Sequence, residues 1–126
     1  MIAGVDIGGT KIAVGLIDDC GRVMCRVEAP TEAERGYAVG IQKISEMLRD
    51  SVRKTAATIH GIGIGSTGML DPIRGEFLDV DFLPGWERKK PVEDLSRNFG
   101  VSAAIENDGD AGALADEVRR VIAAIG

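Results

Sequence analysis

Five residues near the start of the chain bring a carboxylate, two glycines, a hydroxyl and an amine together: Asp6, Gly8, Gly9, Thr10 and Lys11. Glycines lack a Cβ, so the backbone can adopt positive φ and bring its N–H groups close to an anion. A carboxylate holds Mg²⁺ directly or through water, and a lysine adds a mobile positive charge. The segment therefore predicts a site for a metal-bound phosphate, with Asp6 on the metal. For the two glycines alone, a tight hairpin turn is the alternative.

Two better-known phosphate loops do not fit this segment. A Walker loop ends in Gly-Lys-Ser/Thr at the start of a helix, and the dinucleotide fingerprint also opens a helix. Here the residues that follow Lys11, from Ile12 to Ile17, are mostly aliphatic and continue as a strand.

Two further groups of polar residues follow apolar stretches. Gly65, Ser66 and Thr67 come after one of them, and Glu106, Asn107 and Asp108 come after another. In an open α/β sheet, ligands bind at the carboxyl ends of the strands, so both groups are expected in the same crevice as Asp6. The alternatives are a simple strand-to-loop exit for the first group and helix capping for Asn107 and Asp108.

Apolar periodicity predicts the elements that position these residues. Short connections make the first three strands antiparallel neighbours, and the largely apolar fourth strand is typical of a parallel, buried one. An amphipathic stripe predicts the long first helix. The predicted strands span 2–7, 11–17, 22–28, 58–64 and 101–105, and the predicted helices span about 36–57, 91–98 and 110–125. This pattern indicates one α/β domain over residues 1–126.

Composition narrows the function classes. The 126 residues are 44% hydrophobic, enough for one core, and a formal charge of −5 gives no electrostatic footprint for nucleic acid or an anionic membrane. We find no run long enough to span a membrane and no signal peptide, so a cytoplasmic protein is expected. Cys20 and Cys25 are expected to be reduced thiols. Two cysteines and one histidine cannot complete a four-ligand zinc site, so no zinc is expected.

Four motifs occur in an order that resembles the amino-terminal half of ROK-family sugar kinases (repressor, open reading frame, kinase) of the bacterial glucokinase type. They are Asp6-Ile-Gly-Gly-Thr-Lys11, Gly61-Ile-Gly-Ile-Gly-Ser-Thr-Gly68, Leu83-Pro-Gly-Trp86 and Glu106-Asn-Asp108. The resemblance covers nearly the whole chain. It implies the actin-like, ribonuclease-H-like ATPase fold and transfer of the γ-phosphoryl group of Mg²⁺-bound ATP to a hexose hydroxyl.

The resemblance also implies roles for the motif residues. Asp108 matches the catalytic carboxylate that accepts the proton of the sugar hydroxyl, while Asn107 and Glu106 bind the sugar. Gly65, Ser66 and Thr67 line the sugar pocket. For Trp86, packing in the core is favoured over stacking on a sugar ring.

The chain departs from the family pattern in three respects. Phe82 replaces an Asn that often precedes Leu-Pro-Gly-Trp, and Asp110 replaces an Asn two residues after the catalytic carboxylate. A carboxylate at position 110 is expected to raise the pKa of Asp108. The second lobe of the family is also missing, so we expect little or no kinase activity from the chain alone. The alternatives are a non-catalytic sugar- or phosphate-binding module that forms a homodimer and, least favoured, part of a ROK transcriptional regulator.

Overall fold

The computed structural model describes residues 1–66, 70–78 and 83–106. The strands are β1 (Ile2–Ile7), β2 (Lys11–Ile17), β3 (Val23–Pro30), β4 (Gly61–Ser66), β5 (Leu70–Asp71), β6 (Glu76–Phe77) and β7 (Ser102–Glu106). The helices are α1 (Tyr37–Thr55) and α2 (Pro91–Phe99), with a 3₁₀ turn at Ala33–Arg35 before α1. The helix predicted at 110–125 lies outside the described residues.

A five-stranded mixed sheet forms the centre of the domain, in the order β3-β2-β1-β4-β7. β1 runs antiparallel to β2 and parallel to β4, which in turn runs parallel to β7. This confirms the predicted five-stranded α/β fold. The small β5–β6 hairpin stands apart from it as a two-stranded sheet.

The predicted bounds of the fourth strand were wrong at both ends. β4 begins at Gly61, opposite Ile2, and ends at Ser66, opposite Ile7. The length of β1 therefore sets the length of β4, because a ladder cannot extend beyond its partner strand. Local apolar character gave no information about that partner. As a result, Gly65 and Ser66 belong to the strand and not to a loop leaving it.

Both described helices pack on the same face of the sheet. Alternate residues of β1 point to that face, and they form one core with Ile44 and Leu48 of α1 and Leu95 of α2. The two helices are also joined directly, since Tyr37 donates its hydroxyl to Asp94 Oδ2 at 2.6 Å. Neither described helix is long and apolar enough to cross a membrane.

Trp86 anchors the loop before α2 to this core. Its side chain is fully buried, and its ring makes edge contacts with Tyr37 (centroids 5.3 Å apart) and Phe77 (5.9 Å). The packing role predicted for Trp86 is thus confirmed. The edge of its six-membered ring also approaches α1 at Gly40, where a Cβ would come within 2.5 Å of Trp86 Cζ2.

This close approach makes Gly40→Ala a test of the core. Alanine gains about 1 kcal/mol of helix propensity over glycine, but forcing a methyl group against a fixed indole costs about 1–3 kcal/mol. We expect the clash to dominate and the free energy of unfolding to fall by about 1 kcal/mol, as measured by urea denaturation.

Making Gly40→Ala in a second protein background separates the gain in helix propensity from the clash with Trp86. In a Trp86→Phe protein the smaller ring leaves room, so Gly40→Ala should raise the free energy of unfolding there. Gln42→Ala on the exposed side of α1 should change it by less than about 0.5 kcal/mol. A Gly40→Ala protein more stable than the parent with Trp86 in place would contradict the packing.

Candidate functional site

The carboxyl ends of three parallel strands meet at one edge of the sheet. Asp6 on β1 is paired with Gly65 on β4, and Gly65 is paired with Glu106 on β7. Neighbouring strands lie about 4.8 Å apart, which puts the Cα atoms of Asp6 and Glu106 about 10 Å apart at one level. Three positions that are far apart in sequence are therefore brought to one edge by register alone.

Asp6 points to the face of the sheet opposite the two helices. On its own level its neighbours are Ala13 of β2 and Gly65 of β4. A methyl group and a hydrogen occupy little space, so the half-buried Asp6 carboxylate has no bulky side chain beside it on these strands. A carboxylate can hold Mg²⁺ directly or through water.

The turn after β1 joins β1 to β2 as a hairpin, and one backbone bond closes it, from Gly8 N–H to Lys11 O at 3.0 Å. The hairpin alternative is thus correct as a description of the chain path. The hydrogen bonds of the backbone add a further observation. Within residues 1–66, 70–78 and 83–106, the N–H groups of Gly9 and Thr10 donate to no protein acceptor. Two adjacent unpaired amides at the end of a strand are suited to bind an anion.

Lys11 lies on the same face as Asp6, where its ammonium contacts a carboxylate. Lys11 Nζ lies 3.1 Å from Glu28 Oε1, which also accepts a hydrogen bond from Arg26 at 2.6 Å. Arg26, and to a smaller extent Lys11, holds the pKa of the Glu28 carboxyl below its usual value. An anion arriving at Lys11 therefore meets a lysine already shared with Glu28.

Ser66 has a buried hydroxyl without a partner. Its side chain is 4% exposed, and its Oγ makes no hydrogen bond within the part of the chain that the structure describes. Because Ser66 is paired with Ile7, its side chain points to the helix face, opposite to Asp6. Buried hydroxyls are normally hydrogen-bonded, so this group at a strand end is suited to a ligand that supplies the partner.

The predicted residues thus divide into three sets. Asp6 and Lys11 share one face, and Ser66 faces the other way. Thr67, Asn107 and Asp108, together with the side chain of Glu106, lie outside what the structure describes. The described part of the chain contains no group of three or more His, Cys, Asp or Glu able to hold a metal, and Cys20 and Cys25 are free thiols.

Sequence reasoning missed three residues at this edge: Arg26, Glu28 and Thr31. The first two could have been found from the alternation along β3, where Arg26 and Glu28 are more exposed than their neighbours Cys25 and Val27. Register then pairs Glu28 with Ala13, on the level of Asp6. No sequence signal identified Thr31, whose contacts are all with residues distant in the chain.

Comparison with known proteins agrees with the family resemblance seen in the sequence. A model of the ROK family matches residues 2–122. The chain is 29% identical over 116 residues to a glucokinase of Thermotoga maritima, covering 92% of this chain and 36% of the glucokinase.

Solved structures are similar over the same extent. A ROK hexokinase from Thermus thermophilus superposes with a TM-score of 0.76 at 32% identity, over 92% of this chain and 38% of the hexokinase. A ROK family glucokinase from Streptomyces griseus, in complex with glucose and AMPPNP, gives a TM-score of 0.74 at 26% identity, over 85% and 33%. The chain therefore spans about a third of the length of the relatives it matches.

The unpartnered hydroxyl predicts an unusual effect of Ser66→Ala. Removing a buried hydroxyl that makes no hydrogen bond relieves its desolvation cost, so the free energy of unfolding of the ligand-free protein should rise by about 1 kcal/mol. Urea denaturation monitored by circular dichroism measures the change.

Ser45→Ala is the matched control, because Ser45 is equally buried but its Oγ accepts a hydrogen bond from Asn98 at 3.2 Å. That protein should gain nothing, since the Asn98 amide loses its acceptor. A loss of stability in Ser66→Ala would mean that the hydroxyl has a partner in the folded chain.

The two ion pairs of Glu28 predict that replacing either partner raises the pKa of its carboxyl, by different amounts. Arg26→Gln should raise the pKa of the Glu28 carboxyl more than Lys11→Gln does, because Arg26 makes the shorter contact. Carboxyl ¹³C NMR across a pH titration measures both shifts, and an equal or reversed order would contradict the arrangement. Because the pKa is lowered in the folded state, these pairs favour folding above the unfolded pKa. That contribution is lost as the pH falls through the folded pKa.

Proposed function

The chain belongs to the ROK family, and we propose that it forms part of an ATP-dependent sugar kinase that phosphorylates a hexose hydroxyl. The strongest single support is the common level of Asp6, Gly65 and Glu106 at the carboxyl edge of the sheet. A kinase needs a cation site, a phosphate site and a sugar site within a few ångströms of one another, and the strand ends from which we propose to build them lie at this edge. The relatives named glucokinase and hexokinase support the same class of reaction.

The phosphate side of the reaction is assigned to Asp6 and to the turn between β1 and β2. Mg²⁺ is usually bound by one or two carboxylates together with substrate phosphates, so Asp6 with its small neighbours fits such an ion. The ion supplies neutralisation of charge on the phosphate oxygens. The unpaired N–H groups of Gly9 and Thr10 donate to those oxygens, Gly8 lets the backbone approach, and Lys11 adds a positive charge.

The sugar side is assigned to the ends of β4 and β7. Ser66 offers a buried hydroxyl that a sugar hydroxyl would satisfy, and Gly65 and Thr67 flank it in the chain. Asn107 can donate and accept at once, which suits a sugar hydroxyl, and Glu106 precedes it in the chain. Asp108 accepts the proton of the attacking hydroxyl as its oxygen bonds to the γ-phosphorus of ATP. ADP is the leaving group.

The length of the relatives bears on what this chain does by itself. It covers only 36% of the Thermotoga maritima glucokinase. Phosphoryl transfer in such enzymes depends on closing the protein over both substrates and excluding water. We therefore propose that these 126 residues are the amino-terminal domain of the kinase and that alone they turn over little or no ATP.

A chimera tests the proposed chemistry. In the Thermotoga maritima glucokinase, this chain replaces the 116-residue segment to which it aligns. We expect ADP release that depends on a hexose, with Asp108→Asn lowering the rate by about 10²–10⁴-fold, because the amide cannot accept the proton. A coupled ADP-release assay with Mg-ATP and a panel of hexoses measures it. The isolated chain should not differ from its own Asp108→Asn variant.

Asp110→Asn is the matched control, since it makes the same change two residues away. It should keep most of the activity and shift the acidic limb of the pH–rate profile to lower pH, because one negative charge beside Asp108 is removed. A folded, active chimera in which Asp108→Asn leaves the rate unchanged would contradict the assignment of the base.

A further inference from the structure

Thr31 is a fully buried polar residue in the short loop that follows β3. Both of its donors reach the turn between β1 and β2, more than twenty residues away in the chain. Its backbone N–H donates to Thr10 O at 2.9 Å, and its Oγ1 donates to Gly8 O at 2.7 Å. The N–H bond continues the β2–β3 ladder one residue beyond the Lys11–Pro30 pair. Buried Thr hydroxyls commonly bond within their own turn or helix, so the bond from Oγ1 to Gly8 O is the distinctive one.

These two bonds occupy two of the backbone carbonyls of the turn. Gly8 O and Thr10 O are both occupied by Thr31, while the N–H groups of Gly9 and Thr10 are left without a protein acceptor among the described residues. A segment with two adjacent glycines samples many backbone conformations when nothing holds it. Fixing these two carbonyls restrains the segment while its two amides stay available as donors.

The loop that carries Thr31 is itself held by α1. Lys43 is 19% exposed in its side chain, and its Nζ donates to Pro30 O at 2.6 Å and to Glu32 Oε1 at 2.7 Å. Glu32 has φ of 50°, a left-handed conformation that a non-glycine residue keeps only when its surroundings hold it. Thr31 therefore sits between two anchored residues, and its donors have a fixed direction.

We propose that Thr31 is a positioning residue for phosphate binding, which holds the amides of Gly9 and Thr10 ready for phosphoryl oxygens by binding the carbonyls of Gly8 and Thr10. The proposal rests on the function proposed above for this turn. It differs from a purely structural role of Thr31, which would lower the stability of the fold without changing its affinity for phosphate.

The test uses the full chain and Mg²⁺ with inorganic tripolyphosphate as the probe. Amide NMR of the parent chain should show Gly9 and Thr10 shifting as the probe is added. Thr31→Val keeps the branched shape but removes the hydroxyl, and it should weaken the probe affinity by about tenfold. Thr31→Ser retains the donor and should stay within about twofold of the parent.

Two further variants keep the test decisive. Ser51→Ala removes another fully buried hydroxyl, which donates to Met47 O at 2.9 Å inside α1, and it should leave the affinity unchanged. Lys43→Met loosens the anchor of the loop without touching Thr31, and it should weaken binding of the probe by about threefold. This variant replaces Thr31→Val in the test if Thr31→Val does not fold. Without ligand, hydrogen exchange at Gly8 N–H should be faster in Thr31→Val, because that amide closes the turn.

The outcomes separate the two proposals. If the probe shifts Gly9 and Thr10 in the parent and a folded Thr31→Val binds it equally well, Thr31 only packs, and the phosphate site stands without it. If the probe shifts neither amide in the parent while Thr31→Val speeds hydrogen exchange at Gly8, Thr31 does hold the turn. In that case the turn does not bind phosphate, and the positioning role proposed for Thr31 is wrong as well. Unchanged hydrogen exchange at Gly8 in Thr31→Val would mean that Thr31 does not hold the turn.

Discussion

The structure depends above all on the register of β1, which is paired over all six of its residues on both sides, with β2 and with β4. Side chains alternate between the two faces of a sheet, so a slip of one residue would exchange every side chain between those faces. Val5 and Ile7 would leave the helix layer, and Asp6 would enter it. The hydrophobic face of β1 therefore fixes where the Asp6 carboxylate points, and burial of the core and placement of the candidate site are one constraint.

The helix layer matters to the site because it restrains the loops at its edge. Trp86 lies against Gly40 of α1, and Lys43, one turn further along the same helix, holds the loop of Thr31 through Pro30 and Glu32. The core and the turn are thus connected through a single helix. A side chain at position 40 would therefore press on the indole or on the helix that holds this loop.

Much of this arrangement follows from the sequence, and the exceptions have a physical cause. Apolar periodicity located all five sheet strands and both described helices, because those signals are local. It misplaced β4 since the limits of a strand depend on its partner, here β1, which begins at Ile2. The first motif singled out Asp6 and Lys11, which the register places on one face of the sheet. Glu28 and Thr31 were missed because their importance arises from contacts across 17 and 23 residues of chain, and local patterns carry no record of such contacts.

Several unusual or unused groups lie at one edge of the domain, and the buried Trp86 Nε1 and the left-handed Ala56 and Arg88 are comparable features elsewhere. Ser66 buries an unpartnered hydroxyl, the amides of Gly9 and Thr10 have no acceptor within the described residues, and Glu32 holds a left-handed backbone. Each costs about 1–3 kcal/mol or offers hydrogen-bonding capacity that the protein does not use. Natural proteins tolerate local conflicts mainly where function requires them. A ligand that satisfied the Ser66 hydroxyl would remove its desolvation cost, and the two amides, which are open to solvent, could donate to an anion. These are the physical reasons to regard this edge as a binding site.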